Sequence, residues 1–518
     1  VLLAFSLSQC SYTQKIRDGA TAYKQKQFDV AIDMLKKEYD REKSRVNQGK
    51  LAYMLGESYR ETNQIEKAIQ WYKQAYDYAY GFEALREYAY ALKQNEQYEE
   101  AMQAFKDLGI EIGSPYEYRK EITACTIALE WQKDPNKEYI VELADFNTAF
   151  ADYAPALYGE DQLVFTSDRR NATGDDTYNW TGNNFSDLFL IDLSNQSVEA
   201  FDPNLNSTNN EGTAVFNKDF TEVYFTRCFS GEKFADNFCK LMMSRKTGSS
   251  WTVPVVLNFV EEETNYGHPA LSEDGNILYF SANHKEGWGG YDLYYSVRTP
   301  DGWDFPRLMN RSINTPRNEQ FPFIDADTLY FASDGHTGMG GLDIFRTYKL
   351  ANGSWSPAQN LKTPINSGED DFAFVIDRRQ PPMGDILQTG YFTSTRRQGI
   401  GNDDIYQFTR RIPPDEPEIV ETPKEYKMIL NGYVLEKIYQ VADNPNSKVL
   451  GRKPLNNADV DIIFRDTSYK VTVGDDGFFS LELEEQMDYY FLASKEEYLK
   501  NENRVSTKGI GKDPNMIV

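Results

Sequence analysis

Between residues 138 and 412 the chain repeats one pattern of short apolar runs five times. Each copy contains an aromatic, strand-like segment, and the aligned phenylalanines are Phe165, Phe225, Phe280, Phe331 and Phe392. Their intervals of 60, 55, 51 and 61 residues leave room for about four short strands per copy. A period of this length with four strands per unit is typical of a β-propeller. The sequence therefore predicts five blades.

The fifth copy lacks the outer strand that ends several of the others. In three earlier copies that strand carries a tryptophan followed by a proline, as at Trp303 and Pro306. The segment EYIVELA, at 138–144, precedes the first copy and belongs to no other. We expect it to close the ring by pairing with the last strand, around Tyr406, because closure removes exposed sheet edges.

Three copies contain the motif Gly-x-Gly-x-x-Asp before an alternating apolar run. The segments are GWGGYDLYYS at 287–296, GMGGLDIFRT at 338–347 and GIGNDDIYQF at 399–408. A phosphate-binding loop would need a strand before it and a helix start after it, whereas these glycines precede a strand. We interpret the motif as a hairpin loop between two blade strands, with Asp292 hydrogen-bonding the turn. The marker residues are Gly289, Gly290, Asp292, Gly340, Gly341 and Asp343.

Residues 11–137 show helical periodicity instead. Small residues recur at Ala31, Ala68 and Ala101, at intervals of 37 and 33 residues. This matches the helix-turn-helix pattern of tetratricopeptide (TPR) repeats. The signature of the middle repeat is Leu55, Gly56, Tyr59, Ala68, Tyr72 and Ala75. The prediction is a TPR α-solenoid whose concave surface docks peptides or proteins; the alternative is a spacer that only buries its own core.

A proline- and acid-rich linker at 413–425 leads to a smaller β unit at 426–518. Its landmarks, Gly432, Val434, Pro454-Leu455 and Asp476-Gly477, are similar to those of carboxypeptidase regulatory-like domains, which are small non-catalytic β-sandwiches. The segment LSEDGNILYFSAN at 271–283 resembles the PD40, or TolB-type, variant of WD40 propellers. The expected fold class is multidomain α plus all-β, with a TPR α-solenoid, a five-bladed β-propeller and a small β-sandwich.

The cysteines suggest an extracytoplasmic chain. VLLAFSLSQC, at 1–10, resembles the end of a lipoprotein signal, with Cys10 as the lipidated residue and Gln9 departing from the usual small residue. Cys228 and Cys239 each end a strand-like run and could close a hairpin as a disulfide; two free thiols are the alternative. Cys125 lies in a helical pattern and is expected in a core.

Charge and motifs exclude several function classes. The net charge of -25, from 80 acidic and 55 basic residues, disfavours binding to nucleic acid. Only three histidines occur, and no nucleophile or metal-binding motif accompanies them. We therefore expect no catalytic residues, no bound metal and no cofactor. The acidic loops at 171–179 and 402–404 could hold Ca²⁺, although solvated loops with Asx turns are the simpler interpretation.

The domain order, from the lipobox-like Cys10 through TPR repeats and propeller to the regulatory-like unit, resembles the PorE-type lipoproteins of the OmpA superfamily. These are associated with the type IX secretion system of Bacteroidetes. The resemblance implies a lipid anchor on the periplasmic face of the outer membrane, beside a PorP/SprF-type β-barrel and other secretion-system subunits. Peptidoglycan would be reached only through a C-terminal OmpA-like domain, which this sequence does not contain.

Two functions follow as expectations. The first is a non-enzymatic periplasmic scaffold that docks partners of a type IX secretion or gliding apparatus and links them toward the cell wall. The alternative is a surface-exposed lipoprotein that binds glycans or peptides, which would place ligand-contacting aromatic residues on a propeller face. An enzyme is disfavoured by the scarcity of histidine and the absence of a nucleophile motif.

Overall fold

The computed structural model describes residues 16–114, 117–174, 177–229, 238–413, 427–441, 444, 447–465 and 467–510. Strands hold 38% of the described residues and helices 20%. Cys10 and most of the 413–425 linker lie outside the described residues. None of the described helices combines the length and the apolar character that crossing a membrane requires.

Seven helices come first among the described residues, and each packs against the next along the chain. They are α1 (Gly19–Lys24), α2 (Phe28–Arg41), α3 (Arg45–Glu61), α4 (Ile65–Asp77), α5 (Phe82–Gln94), α6 (Tyr98–Glu111) and α7 (Arg119–Lys133). Gly56 allows α3 to approach α4, because a Cβ there would lie 2.6 Å from the Tyr72 ring. The other signature residues, Leu55, Tyr59, Ala68 and Ala75, are buried in this local helix core.

The prediction of a TPR α-solenoid with a free docking surface is wrong. The chain is dominated by strands, and the helices lie across one face of the β ring, where loops of the ring cover them. Trp180 packs against Phe28 with ring centroids 4.9 Å apart, and the Gly368 N–H donates to Glu96 Oε1 at 2.8 Å. We call helices α1–α7 the helical arch.

The β ring begins with β1 (Tyr139–Leu143). Blade 1 contains β2 (Asp152–Tyr158), β3 (Gln162–Ser167), the small hairpin β4 (Thr177–Tyr178) and β5 (Asn183–Asn184), β6 (Asp187–Asp192) and β7 (Ser197–Ala200). Blade 2 contains β8 (Asn210–Phe216), β9 (Glu222–Cys228), β10 (Cys239–Thr247), β11 (Ser250–Trp251) and β12 (Val255–Val256). Blade 3 contains β13 (Tyr266–Leu271), β14 (Ile277–Ala282), β15 (Asp292–Thr299), β16 (Gly302–Trp303) and β17 (Arg307–Leu308). Blade 4 contains β18 (Glu319–Asp325), β19 (Thr328–Ser333), β20 (Asp343–Tyr348) and β21 (Gln359–Asn360), and blade 5 contains β22 (Asp371–Ile376), β23 (Ile386–Ser394) and β24 (Asp404–Arg411).

Each blade is an antiparallel sheet whose first strand is innermost. The inner strands β2, β8, β13, β18 and β22 contact one another in a closed circle, in which β22 meets β2. The segment at 138–144 completes the fifth sheet, because β1 pairs with β24 and places Tyr139 opposite Arg410. This is the pairing expected from the missing outer strand.

All five inner strands carry the same β-bulge. The bulged residues adopt left-handed backbone conformations, with φ of 51° at Ala154, 44° at Thr213, 54° at His268, 49° at Phe321 and 52° at Ala373. Such angles are uncommon for residues other than glycine. Three of the freed N–H groups donate to threonine hydroxyls of the neighbouring blade, at 2.9 to 3.1 Å. The bulges therefore link the blades around the axis.

A second repeat, missed in the sequence, precedes four inner strands. It reads Asn-(Ser/Thr)-x-x-x-(Asp/Glu) and begins at Asn147, Asn206, Asn314 and Asn366. Each asparagine is buried and binds both backbone groups of one residue in the third long strand of the preceding blade. At Asn314, Oδ1 accepts the Leu293 N–H at 2.8 Å, and Nδ2 donates to the Leu293 carbonyl at 3.0 Å.

The C-terminal unit contains β25 (Met428–Tyr433), β26 (Leu435–Tyr439), β27 (Val449–Pro454), β28 (Asp459–Phe464), β29 (Thr467–Thr472), β30 (Phe478–Leu483), β31 (Asp488–Ser494) and β32 (Asn501–Ser506). These form one four-stranded and two two-stranded antiparallel sheets around a core that includes Val460, Ile462 and Tyr489. Gly477, at φ +66°, makes the turn after Asp476, as glycine does at low cost.

Candidate functional site

The helical arch spans the ring face from blade 1 to blades 4 and 5. At one end, Trp180 Nε1 donates to the Glu61 carbonyl at 3.0 Å. At the other end, Arg397 Nη2 donates to the Asn95 carbonyl at 2.5 Å. Between these two ends, the guanidinium group of Arg317, in the loop that joins blades 3 and 4, lies 4.9 Å from the Tyr90 ring of the arch. We call the space between the arch and the ring, where Arg60 lies within electrostatic range of Asp370, the cleft.

Three carboxyl groups from the ring meet in this cleft. Asp168 accepts from the Ala151 N–H at 2.8 Å and from Asn183 Nδ2 at 2.9 Å, and Asp370 accepts from the Leu342 N–H at 2.7 Å. The Asp403 carboxyl group accepts no hydrogen bond from any described residue. Its carboxyl oxygens are therefore the ones most available to a ligand.

Burial raises the pKa of all three carboxyl groups, and the charges of the other two add to the shift at Asp403. Burial, followed by the charges of Asp168 and Asp370, raises the pKa of Asp403 to about 7. Burial raises the pKa of Asp370 to about 6, against the opposing charge of Arg60 across the cleft. Burial also raises the pKa of Asp168. At neutral pH the cluster can both donate and accept hydrogen bonds, because a protonated carboxyl group does both.

The arch supplies the opposite wall. Tyr72 Oη donates to Glu57 Oε1 at 2.5 Å, and Arg60 binds Tyr72 Oη at 3.3 Å and Glu61 Oε1 at 2.7 Å. Tyr53 belongs to the same wall, where its ring stacks on that of Tyr80 at 4.2 Å.

Half-exposed tyrosines line both sides of the cleft. Tyr53 on the arch, and Tyr153 and Tyr178 on the ring, remain partly open to solvent, yet burial raises the pKa of each, to about 12 for Tyr178. Tyr153 lies within electrostatic range of Asp168, Asp403 and Tyr178, so these two tyrosines stand beside the carboxyl groups.

The central channel continues from the cleft floor. Cavities of about 120 and 170 Å³ lie on either side of a neck, and both are lined by Thr213 and His268. His268 Nδ1 lies 2.8 Å from Ser281 Oγ, and its ring stacks on Phe321 at 3.7 Å. Burial lowers the pKa of His268 to about 3, so the imidazole stays neutral and narrows the channel without adding charge.

A larger cavity of about 2660 Å³ lies elsewhere, between α7, blades 3 and 4, and the C-terminal unit. Basic groups on its wall are already engaged: Lys427 pairs with Glu482 at 3.1 Å, and Arg504 with Asp488 at 3.1 Å. We regard it as the space between units, because it lacks the converging, unengaged polar groups of the cleft.

The residues of the glycine motif lie at the blade junctions, whereas the loops considered for Ca²⁺ at 171–179 and 402–404 supply Tyr178 and Asp403 to the cleft. Asp292 Oδ2 accepts the Trp288 and Gly289 N–H groups at 2.7 and 3.1 Å, and Asp343 Oδ2 accepts the Met339 N–H at 2.7 Å. Cys228 and Cys239 face each other in β9 and β10 and form a disulfide, whereas Cys125 is a buried free thiol. In the described part of the chain, no group of three or more His, Cys, Asp and Glu side chains is arranged to hold a metal ion.

The three carboxyl groups were not predicted to lie together, although Asp403 belongs to the 402–404 loop considered for Ca²⁺ and two of the three had a signal in the sequence. Asp370 and Asp403 each begin an Asp-Asp pair. In both pairs the second aspartate is buried at a blade junction, and the first lies at the cleft. An acidic doublet at the start of a predicted blade strand therefore supplies one structural carboxyl group and one available group.

Comparisons with known proteins identify no family. No family model matches the chain, and no curated protein matches it. Similar solved structures include an α-L-arabinofuranosidase from Lactobacillus brevis (TM-score 0.35, 10% identity, covering 52% of this chain and 92% of the other). They also include Zg3597, a family 117 glycoside hydrolase of Zobellia galactanivorans (TM-score 0.34, 11% identity, 56% and 95%), and an exo-β-1,3-galactanase from Clostridium thermocellum (0.34, 12%, 71% and 82%). At these scores the likeness transfers no activity to this chain.

These findings correct the assignment made from the domain order. The resemblance to PorE-type OmpA-superfamily lipoproteins is contradicted, since neither a family model nor a curated protein supports it. The non-enzymatic scaffold of a type IX secretion or gliding apparatus rested on that resemblance and is withdrawn with it. The classification as a non-enzyme is withdrawn for the same reason.

Proposed function

We propose that this chain binds a neutral glycan in the cleft under the helical arch. The observation that carries the proposal is the cluster of Asp168, Asp370 and Asp403 at the channel mouth, beside the half-buried rings of Tyr153 and Tyr178. Sugar hydroxyls need both donors and acceptors, and carboxyl groups with a pKa near neutrality supply both. The flat faces of Tyr153 and Tyr178 offer apolar area beside them.

A neutral ligand fits the charges better than a strongly charged one. Arg60 lies within electrostatic range of Asp370, and its positive charge offsets part of the negative charge of the cluster. The raised pKa of Asp403 reduces the negative charge that would attract a cationic peptide. Mixed polarity of this kind favours many hydrogen bonds of moderate strength over one ion pair.

We expect the substitution Asp403→Asn to weaken glycan binding about tenfold, equivalent to about 1.4 kcal/mol, because the amide never carries the negative charge that strengthens the hydrogen bonds accepted by the carboxylate form, which is populated at neutral pH. The measurement is a glycan array of neutral hexose and pentose oligosaccharides, followed by calorimetric titration of the strongest binder. Release of reducing ends during the titration would show that the protein also hydrolyses the bound oligosaccharide.

The matched control is Asp385→Asn. Asp385 is exposed on the hairpin between β22 and β23, at the opposite end of blade 5 from Asp403, and its substitution should leave the affinity unchanged. Equal affinity of Asp403→Asn and the unsubstituted protein, or no binding to any neutral oligosaccharide, would contradict the proposal.

Lipid attachment at Cys10, an outer-membrane position and the partner proteins named from sequence stay predictions. Mass spectrometry of the N-terminal peptide from membranes would detect the acylated cysteine directly. Protease accessibility on intact cells would distinguish a surface-exposed glycan receptor from a periplasmic one.

A further inference from the structure

Two carboxyl groups lie together in the interior at four of the five blade junctions. One begins the third long strand of a blade and the other lies at the start of the next blade's inner strand. The pairs are Asp187 with Glu211, Asp292 with Glu319, Asp343 with Asp371, and Asp404 with Asp152. None of the eight side chains is more than 1% exposed.

One backbone hydrogen bond recurs at each junction and holds the pair together. The N–H of the second acid donates to the carbonyl of the residue just before the first acid. At blades 3 and 4, the Glu319 N–H donates to the Tyr291 carbonyl at 2.7 Å. The equivalent bonds run from Glu211 to Ser186, from Asp371 to Leu342 and from Asp152 to Asp403, at 2.6 to 2.8 Å. The arrangement is therefore a feature of the blade repeat.

One oxygen of each first acid lacks a partner. Oδ2 of Asp187, Asp292, Asp343 and Asp404 accepts backbone N–H groups of the preceding loop. Oδ1 of the same four residues is buried and accepts nothing from the described residues. A buried acceptor without a donor costs about 1–3 kcal/mol, so four equivalent cases indicate a donor that recurs at the same place. A carboxylate cannot donate, whereas a protonated carboxyl group can.

In three of the four pairs, an arginine binds one of the two carboxyl groups. Arg169, Arg227 and Arg396 bind Asp152, Glu211 and Asp371, each at 2.6 Å, so that one guanidinium group stands beside the two carboxyl groups of each of these pairs. Lys93 and Tyr98 of the arch face the Asp343–Asp371 pair, and Asp168 and Asp403 lie near the Asp404–Asp152 pair.

The Asp292–Glu319 pair has no arginine. Gly335 lies four residues after Phe331, at the position that Arg169 and Arg396 occupy in blades 1 and 5. The Gly335 carbonyl accepts Lys120 Nζ at 2.5 Å. Lys120 also lies within electrostatic range of Glu319, whose carboxyl group accepts from Thr315 and Ser333.

Electrostatics agrees with this geometry. Burial raises the pKa of Glu211 and that of Glu319 to about 7, and the charge of Asp292 adds to the shift at Glu319. Burial likewise raises the pKa of Asp404, and that of Asp343 well above its ordinary value. Every pair thus contains at least one group that resists ionisation.

We propose that each of these four carboxyl pairs holds one proton between its members, and that the proton joins neighbouring blades. Between the ordinary pKa of a carboxyl group and about 7, the folded chain then binds more protons than the unfolded chain. The resulting stabilisation is fully present below the ordinary pKa and is lost as the pH rises through 7. The free energy of unfolding of the ring would therefore be larger below pH 7 than above it.

The test is the melting temperature of the full chain between pH 5 and pH 8, compared with that of Asp292→Asn. An asparagine can accept the loop N–H groups through its oxygen and donate to Glu319 through its nitrogen, so it replaces the shared proton permanently. We expect the unsubstituted protein to lose several degrees from pH 5 to pH 8, and Asp292→Asn to lose a few degrees less. Infrared spectroscopy at pH 7 should show a protonated carboxyl band that is weaker in the variant.

Asp274→Asn, in an exposed turn of blade 3, is the control and should follow the pH dependence of the unsubstituted protein. Equal pH dependence of Asp292→Asn and the unsubstituted protein would overturn the proposal. So would the absence of a protonated carboxyl band from the unsubstituted protein, a measurement that does not require the variant to fold. If a cation raised the melting temperature at pH 8 only when Asp292 is present, a metal ion rather than a proton would join the pair, and the proposal would be wrong.

Discussion

Replacement of Gly340 by alanine is expected to destabilise the ring by about 3 kcal/mol, the upper range for overpacking. A Cβ at Gly340 would lie 1.7 Å from the Gly368 carbonyl oxygen. That atom is backbone, and the adjacent Gly341 N–H donates to it at 2.9 Å, so it cannot move without breaking the contact between blades 4 and 5. Urea unfolding of the full chain measures the change in the free energy of unfolding.

Gly474→Ala is the matched control. Gly474 is exposed, and a Cβ there would have its nearest atom at 3.6 Å, an ordinary contact. Its free energy of unfolding should lie within about 0.5 kcal/mol of the unsubstituted value. A loss of less than 1 kcal/mol at Gly340 would show that the two loops do not touch in solution.

The ring was predictable because its signals are local and repeated. The aromatic strand around Phe280 recurs in every blade, and the unpaired segment at 138–144 had only one vacant edge to fill. The glycine motif was also interpretable as a turn, since it precedes a strand. The close packing of this motif could not be predicted, because the carbonyl that excludes a side chain at Gly340 belongs to Gly368, which leads into the next blade.

The helices show what periodicity leaves undetermined. The spacing of Ala68, Tyr72 and Ala75 specifies which face of a helix is buried, and these residues are buried. It does not specify whether the neighbouring surface is free or covered. The covering loops, among them the one that carries Trp180, lie more than 100 residues away in sequence, so the predicted free docking surface was wrong.

The cleft was the least predictable part. Asp168 and Asp403 are separated by most of the ring in sequence, and closure of the ring brings them together. Asp168 has no motif that distinguishes it from a solvated loop aspartate, and the Asp-Asp pair that Asp403 begins does not show which residues will lie beside it. The raised pKa of Asp403 arises from burial under the arch and from other carboxyl groups, and both depend on tertiary structure.

The second large effect is expected at Asn314. Replacement by alanine removes the acceptor of the Leu293 N–H and the donor to the Leu293 and Met309 carbonyls, at 2.8, 3.0 and 3.1 Å. Asn314 is 2% exposed, so water cannot readily take its place. Leaving buried backbone groups unpaired costs about 1–3 kcal/mol each, with partial relaxation, and we expect a loss of about 2–4 kcal/mol.

Asn352→Ala provides the comparison. Asn352 is exposed, and its Oδ1 accepts the Ser354 N–H at 3.0 Å within one turn of blade 4, so its loss should cost less than about 1 kcal/mol. Hydrogen exchange locates the effect: the Leu293 amide should lose protection in Asn314→Ala and keep it in Asn352→Ala. Because the same asparagine recurs before four inner strands, Asn366→Ala should expose the Ile344 amide in the same way. Retained protection of Leu293 in Asn314→Ala would mean that the backbone ladder holds the strand, and that the asparagine only fills space between blades.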